Sequence, residues 1–178
     1  TFLSSQNLLA SWDALGLKAQ THRFYQIEAS FSESNSQQSI SAVLQKMSGI
    51  NKVEFFNKYG VSPVAQNGLA IERVYPDGGH GSLKLYAVPV QTNMFSLVLI
   101  KGQWLSAQGV DEVVLNQRAQ TSLFYDKKIG DMIDVRIHDK NKRFRLVGIM
   151  NEPLMGAGLY VNQIYSTPNS FRLRLDDV

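Results

Sequence analysis

The strongest constraint in this sequence is an alternation in its second half. Ile133, Val135 and Ile137 alternate with Asp134, Arg136 and His138; Asp139-Lys140-Asn141-Lys142 then turns the chain, and Phe144–Met150 returns. Apolar residues at a period of two put one strand face on a core, and two such runs around a polar tetrapeptide predict a β-hairpin. A lone hairpin cannot bury its apolar face, so the rest of the chain must supply further layers. A chain of 178 residues can do this as one domain, or as two small subdomains sharing one frame.

The remaining elements are read from the same periodicities. Leu8, Leu9, Trp12 and Leu15 predict a helix over 4–16, capped by Ser4 or Ser5 and stopped at Gly16, with Leu8, Leu9 and Trp12 turned to the core. Tyr25, Ile27, Ala29 and Phe31 alternate with polar residues as a half-buried strand. Ser32–Ser36 supplies capping oxygens, and Ile40, Val43, Leu44 and Met47 form one stripe of a short helix ending at Gly49. Val53–Phe56 begins the next strand. Residues 70–75 and 83–90 predict a hairpin across Asp77-Gly78-Gly79-His80-Gly81. Residues 94–100 fit either a buried strand or a short helix. Glu112–Leu115 is a strand, and Asn116 caps a helix that sends Leu123 and Phe124 into the core. Leu159–Val161 is a brief strand; in the last, Phe171, Leu173 and Leu175 alternate with Arg172, Arg174 and Asp176. The class is α+β, with about eight strands and a few helices. Phe124, Ile133, Val135, Phe144 and Leu146 are expected to pack together.

No catalytic, cofactor-binding or metal-binding set emerges. There is no Cys, which removes thiol nucleophiles, disulfides and thiolate metal sites and suits an oxidising compartment. His22, His80 and His138 lack metal-ligand spacing; His80 reads as a turn residue and His138 as a solvated strand end. Gly156-Ala157-Gly158 lacks the third glycine of a dinucleotide fingerprint and the Lys of a phosphate loop, and reads as a flexible connection. Asp111 with Glu112, and Asp176 with Asp177, are sequence neighbours; on a strand these face opposite ways and make poor catalytic pairs. The net charge of +3 does not suggest nucleic acid. Lys140, Lys142, Arg143 and Arg145 surround the hairpin tip, either as a solvated, aggregation-resistant edge or as a contact for anionic lipid or an acidic partner. The longest apolar run, Leu97–Ile100, is far short of the roughly 20 residues of a membrane span. With no initiating Met and no signal peptide, the chain is expected to be an excised soluble domain or a mature protein.

One series of motifs is shared with a known family: Gly102-Gln103-Trp104-Leu105, Asp111-Glu112-Val113-Val114-Leu115-Asn116, Ala119, Leu123-Phe124, Ile129-Gly130-Asp131 with Ile133, and Phe144-Arg145-Leu146-Val147-Gly148-Ile149. In order and spacing this resembles the extracytoplasmic domain of MacB-like/FtsX-like ABC transporter permeases. The strand–helix–strand over 24–56 is similar to the part that follows the first membrane helix there. The resemblance implies a stalk-like N-terminal helix over 1–19 and an outer α/β, porter-like subdomain over 20–77 and 166–178. A smaller β-rich subdomain would be inserted over 78–165. It also implies a non-catalytic domain, periplasmic or at the cell surface and tethered to the cytoplasmic membrane. Such a domain couples cytoplasmic ATP hydrolysis to export or mechanical work and needs no cofactor. Its implied partners are the cognate transmembrane segments, the ATPase subunit, a second permease copy, and a periplasmic adaptor or lipoprotein. A further helix and strand would be expected after 171–177. The alternatives are a free-standing secreted or periplasmic ligand-binding module, and a hydrolase with an unrecognised site. In a lever of this kind, strands 24–32 and 171–177 should be neighbours, and the tip at 139–142 should stand at the far end as a partner surface. Without a phosphate cradle, the chain is expected to show no saturable ATP binding by calorimetry; a measurable dissociation constant would contradict this reading.

Overall fold

The structure, a computed structural model, describes residues 11–14, 16–17, 21–31, 36–65, 68–71, 83–152, 155–163 and 168–176. Its defined elements run β1 (Ile27–Ser30), α1 (Gln37–Leu44), β2 (Ile50–Pro63), β3 (Leu83–Val88), β4 (Leu99–Gly102), β5 (Glu112–Asn116), α2 (Gln117–Ser122), β6 (Met132–Ile137), β7 (Lys140–Met150), β8 (Gly158–Asn162) and β9 (Ser170–Leu175). The class is α+β, as the sequence predicts.

The strands close on themselves. β2 pairs with β3, β3 with β8, β8 with β5, β5 with β7, β7 with β6, and β6 with β2 again. The result is a six-stranded barrel with two parallel contacts, β3–β8 and β5–β7. β2 spans 14 residues and outruns the barrel. Its first half pairs with β9, which pairs in turn with β1, so a three-stranded outer sheet grows from the same strand. Just before β9 begins, the side-chain amide of Asn169 extends its pairing with β2, accepting from the Lys58 N–H at 2.8 Å and donating to the Lys58 carbonyl at 3.1 Å.

Alternation then sorts the apolar residues into two cores. Leu83, Leu85, Val113, Leu115, Ile133, Val135, Phe144, Leu146 and Leu159 fill the barrel. Phe124 and Ala119 enter it from α2 and its C-terminal end, which plug one mouth. Asn116 starts that helix, its side-chain oxygen accepting from the Ala119 N–H at 2.9 Å. The five core residues expected from the sequence all lie here. The second core, including Phe56, Tyr86, Val88, Met94, Phe95 and Tyr160, lies on the outer face of the barrel wall. β3 and β5 are therefore buried on both faces, which explains their nearly continuous apolar runs. β4 lies against β7 with Gly102 opposite Gly148. A Cβ on Gly102 would meet the Val147 carbonyl and one on Gly148 the Gln103 carbonyl, and Gly102 also has φ +74°. Glycine is required at both positions.

Several sequence expectations are corrected. Trp12 is 57% exposed, and the N-terminal helical residues run through Gly16 to Leu17, so Gly16 does not stop them; the rest of 4–16 lies outside the described residues. The stripe on α1 is narrower than periodicity suggests: Leu44 is buried, but Val43 is exposed within the helix, and Met47 is exposed beyond its end at Leu44. The partner of β3 is β2 rather than residues 70–75, since β2 continues to Pro63 and offers its own edge to Leu83; the turn expected at 77–81 lies outside the described residues. Of residues 94–100, Phe95 forms an isolated antiparallel bridge with Arg23 and Leu99–Ile100 open β4, so neither a helix nor one continuous strand forms there. The hairpin turn shrinks to His138-Asp139, with His138 at φ 53°, as a two-residue turn demands, and Lys140–Lys142 already belong to β7. Ala157 is buried in the barrel core and Gly158 opens β8, so 156–158 is a packed strand entry rather than a loose connection.

β1 and β9 are neighbours, as expected, with Ile27 opposite Leu173. The tip behaves otherwise. β6 runs antiparallel to β2, from Val135 opposite Pro63 to Ile137 opposite Val61, so the hairpin heads back toward the outer sheet, and the His138 ring meets Tyr59 at 5.5 Å. Antiparallel pairing dictates this direction, because the pairing of β6 with β2 begins opposite Pro63 and advances toward the half of β2 that pairs with β9. Phe124→Ala should cost about 3–5 kcal/mol in urea unfolding, since it empties the barrel plug; an unchanged midpoint would contradict that packing.

Candidate functional site

The outer sheet meets the barrel through a row of charges. Glu28 on β1 and Glu54 on β2 both lie directly opposite Arg172 on β9, so all three side chains project to one face. That face is turned to the second core, and Arg172 is only 2% exposed. Its guanidinium lies 4.2 Å from the Phe56 ring centre, 4.9 Å from Tyr25, 5.2 Å from Phe95 and 5.9 Å from Tyr86. Phe56 and Tyr25 belong to the outer sheet and its approach; Tyr86 and Phe95 belong to the barrel wall and the segment that covers it. One cation thus holds aromatic faces from both bodies, an attraction strengthened by the exclusion of water.

Arg172 Nε donates to Glu28 Oε2 at 3.0 Å, and Lys58 Nζ donates to Glu28 Oε1 at 2.7 Å. Burial alone would raise the Glu28 carboxyl, but Arg172 and Lys58 outweigh it and hold it below the ordinary carboxylate value. Glu54 goes the other way. Burial raises its carboxyl, offset only in part by the Thr92 hydroxyl, which donates at 2.9 Å, and by Arg172. On the barrel side Tyr160 is buried among Tyr86, Phe95 and Trp104 and donates to Glu152 Oε1 at 2.6 Å. Burial, with the Glu152 charge, pushes its hydroxyl well up, so it stays a neutral donor. Asn116 donates to Glu152 Oε2 at 3.1 Å, linking the cap of α2 to this network.

A cavity of only about 10 Å³ remains among His22, Tyr25, Phe95, Glu152 and Arg172. That is about the space of a single water, so the junction is a joint rather than a ligand pocket. Among the described residues no group of three or more His, Asp or Glu could hold a metal. His22 lines the small cavity, His138 sits in the β6–β7 turn, and His80 lies outside the described residues. Glu112 is buried, accepting from the Ser106 N–H and facing Arg145 at 3.4 Å, so with Asp111 it forms no catalytic pair. The joint itself was not read from the sequence, where Arg172 and Glu28 stand at positions that look solvent-facing. The available signal was an acid, a base and an acid at equivalent positions of three strands.

A family model described as the MacB-like periplasmic core domain matches residues 17–177. The chain belongs to the MacB-like periplasmic core domain family. It is an extracytoplasmic domain of a MacB/FtsX-like ABC transporter permease, and among the described residues no helix is long and apolar enough to cross a membrane. The extracellular domain of the noncanonic ABC-type transporter YknZ from Gram-positive bacteria has a similar fold, with a TM-score of 0.52 at 11% identity over 89% of this chain and 84% of that one. The periplasmic region of MacB from Actinobacillus actinomycetemcomitans aligns with a TM-score of 0.49 at 22% identity over 81% of this chain and 67% of that one. No curated protein matches.

In this MacB-like domain, Glu28→Gln should cost about 3 kcal/mol at neutral pH by leaving Arg172 buried with no anion at Nε. The native carboxyl is held below 4.5, so its contribution is complete above that pH and is lost as pH falls through the lower native value. Urea unfolding of wild type and variant should therefore converge only in acid; a difference independent of pH would mean that Glu28 does not act as a charge.

Proposed function

We propose that this domain is a non-catalytic relay that couples ATP hydrolysis by its cytoplasmic partner to export or mechanical work outside the membrane. The ATPase subunit and the cognate transmembrane segments drive it. A second permease copy and a periplasmic adaptor or lipoprotein are the partners that receive the motion. In this reading residues 20–77 and 166–178 form the outer, porter-like part, residues 78–165 the inserted β-rich part, to which the second half of β2 lends a strand, and 1–19 the stalk.

The observation that carries the reading is the joint. β2 runs unbroken through the outer sheet and the barrel, and Arg172 fastens the two bodies beside it. A displacement applied to β1 and β9 would reach the barrel along β2 without a flexible link to absorb it. A strand shared by two bodies and locked by buried charge suits force transmission.

The test uses the full-length permease reconstituted with its ATPase. Glu28→Gln, which loosens the joint, should leave ATP turnover largely intact while lowering the work or transport obtained per ATP. Phe124→Ala serves as the control, since it weakens the barrel without touching the joint. An unchanged ratio in Glu28→Gln, or an equal fall in both variants, would overturn the relay.

A further inference from the structure

The barrel has two mouths, and only one is plugged. At the mouth away from α2 lies a cavity of about 520 Å³, floored by Tyr59, Leu85, Ala87, Phe144 and Val161. This volume falls within the range of pockets that enclose small organic ligands, and the mouths of β-barrels are among their preferred places.

The charges around this mouth are sorted by face. In the β6–β7 ladder the pairs Ile133–Phe144, Val135–Lys142 and Ile137–Lys140 lie on the inner side, and Asp134–Arg143 and Arg136–Asn141 on the outer side. The outer pairs are satisfied: Arg143 Nε donates to Asp134 Oδ1 at 2.7 Å, and Arg136 Nε donates to Asn141 Oδ1 at 2.9 Å. Lys140 and Lys142 line the cavity above Phe144, and among the described residues neither has an ion-pair partner within 4.0 Å. Asp111 and Asp139 share the rim, but neither is within ion-pair distance of the lysines. Two exposed ammonium groups thus stand on the side of a strand whose next inward residue is a buried phenylalanine. A lysine stem can lie along apolar surface while its head seeks an anion.

We propose that this open mouth is a binding site for a single-chain anionic amphiphile, its apolar body in the mouth over Phe144 and Val161 and its acidic head between Lys140 and Lys142. The inference does not depend on the relay: it assigns the open mouth of the barrel a ligand, whatever the joint transmits.

The test titrates the 178-residue chain with decanoate, decanol and decyltrimethylammonium, each below its micelle concentration, by calorimetry and by amide chemical shifts. Decanoate should bind one to one, with the largest shifts at Ala87 and Val161, and about three- to tenfold more tightly than decanol. Lys140→Gln/Lys142→Gln should erase that preference and leave decanol binding unchanged. Val110→Trp, at a rim position that is 44% exposed and so tolerant of substitution, should block both ligands. Absence of saturable decanoate binding, equal affinity for all three head groups, or shifts centred away from the mouth would overturn the proposal. So would association with phosphatidylglycerol vesicles without binding of monomeric decanoate, because the lysines would then serve a flat membrane contact and not a site.

Discussion

The outer sheet and its seat on the barrel depend on a single buried cation. The Arg172 guanidinium costs free energy to desolvate, and apolar residues of similar volume often serve stability as well or better. It is tolerated because Glu28 supplies the counter-charge, Lys58 neutralises the excess on that carboxylate, and the four surrounding aromatic rings present their negative faces. What the arrangement gains is register. A slip of β9 by one residue would move Arg172 to the opposite face, where Phe31, Phe55 and Phe171 lie within 6.1–6.4 Å of one another, and would put phenylalanine in the place of the cation. Neither exchange is tolerable, so the outer sheet has one way to pair.

The barrel is fixed by different means. Its six strands bury a continuous apolar interior, and its closure leaves no free edge along most of the ring. Local geometry does the rest. Gly102 and Gly148 let β4 and β7 approach where side chains would collide, and Asn116 both caps α2 and reaches Glu152. The interior is thus specified mainly by shape and the junction mainly by charge. The two meet on β3 and β8, where Tyr86 and Tyr160 stack at 5.2 Å on the outer face of the wall while Leu85 and Leu159 fill the inside.

How far the sequence discloses this follows from the range of each interaction. The β6–β7 hairpin, the Asn116 cap and the alternation of β9 rest on contacts among near neighbours, so their periodicity survives in a linear reading. The entry of Phe124 into the core that holds Phe144 was legible because the Asn116 cap fixes where its helix starts. The closing of the ring was not, because β2 meets β6, and β3 meets β8, only through pairings between distant residues. The joint was hidden by a correct pattern with an incomplete reading. Arg172 does alternate with Phe171 and Leu173, but both faces of that strand are covered, and alternation cannot say which side is wet. Trp12 misled in the opposite direction, since a large aromatic on a helical stripe suggests a core that the described residues do not supply.

The place of β9 bears on how such a chain reaches its destination. The last of the defined strands, β9, lies between β1 and the first half of β2, with Ile27 and Val53 both opposite Leu173. A polypeptide threaded N-terminus first across a membrane would deliver β1 and β2 long before their shared neighbour. Until β9 emerges, two strand edges and the acid pair Glu28 and Glu54 wait without Arg172, a state open to mispairing. The carboxylates ease that wait, because like charges at matching positions discourage β1 and β2 from pairing directly. The same row of charges that secures the finished sheet thus holds a gap open for the strand that arrives last.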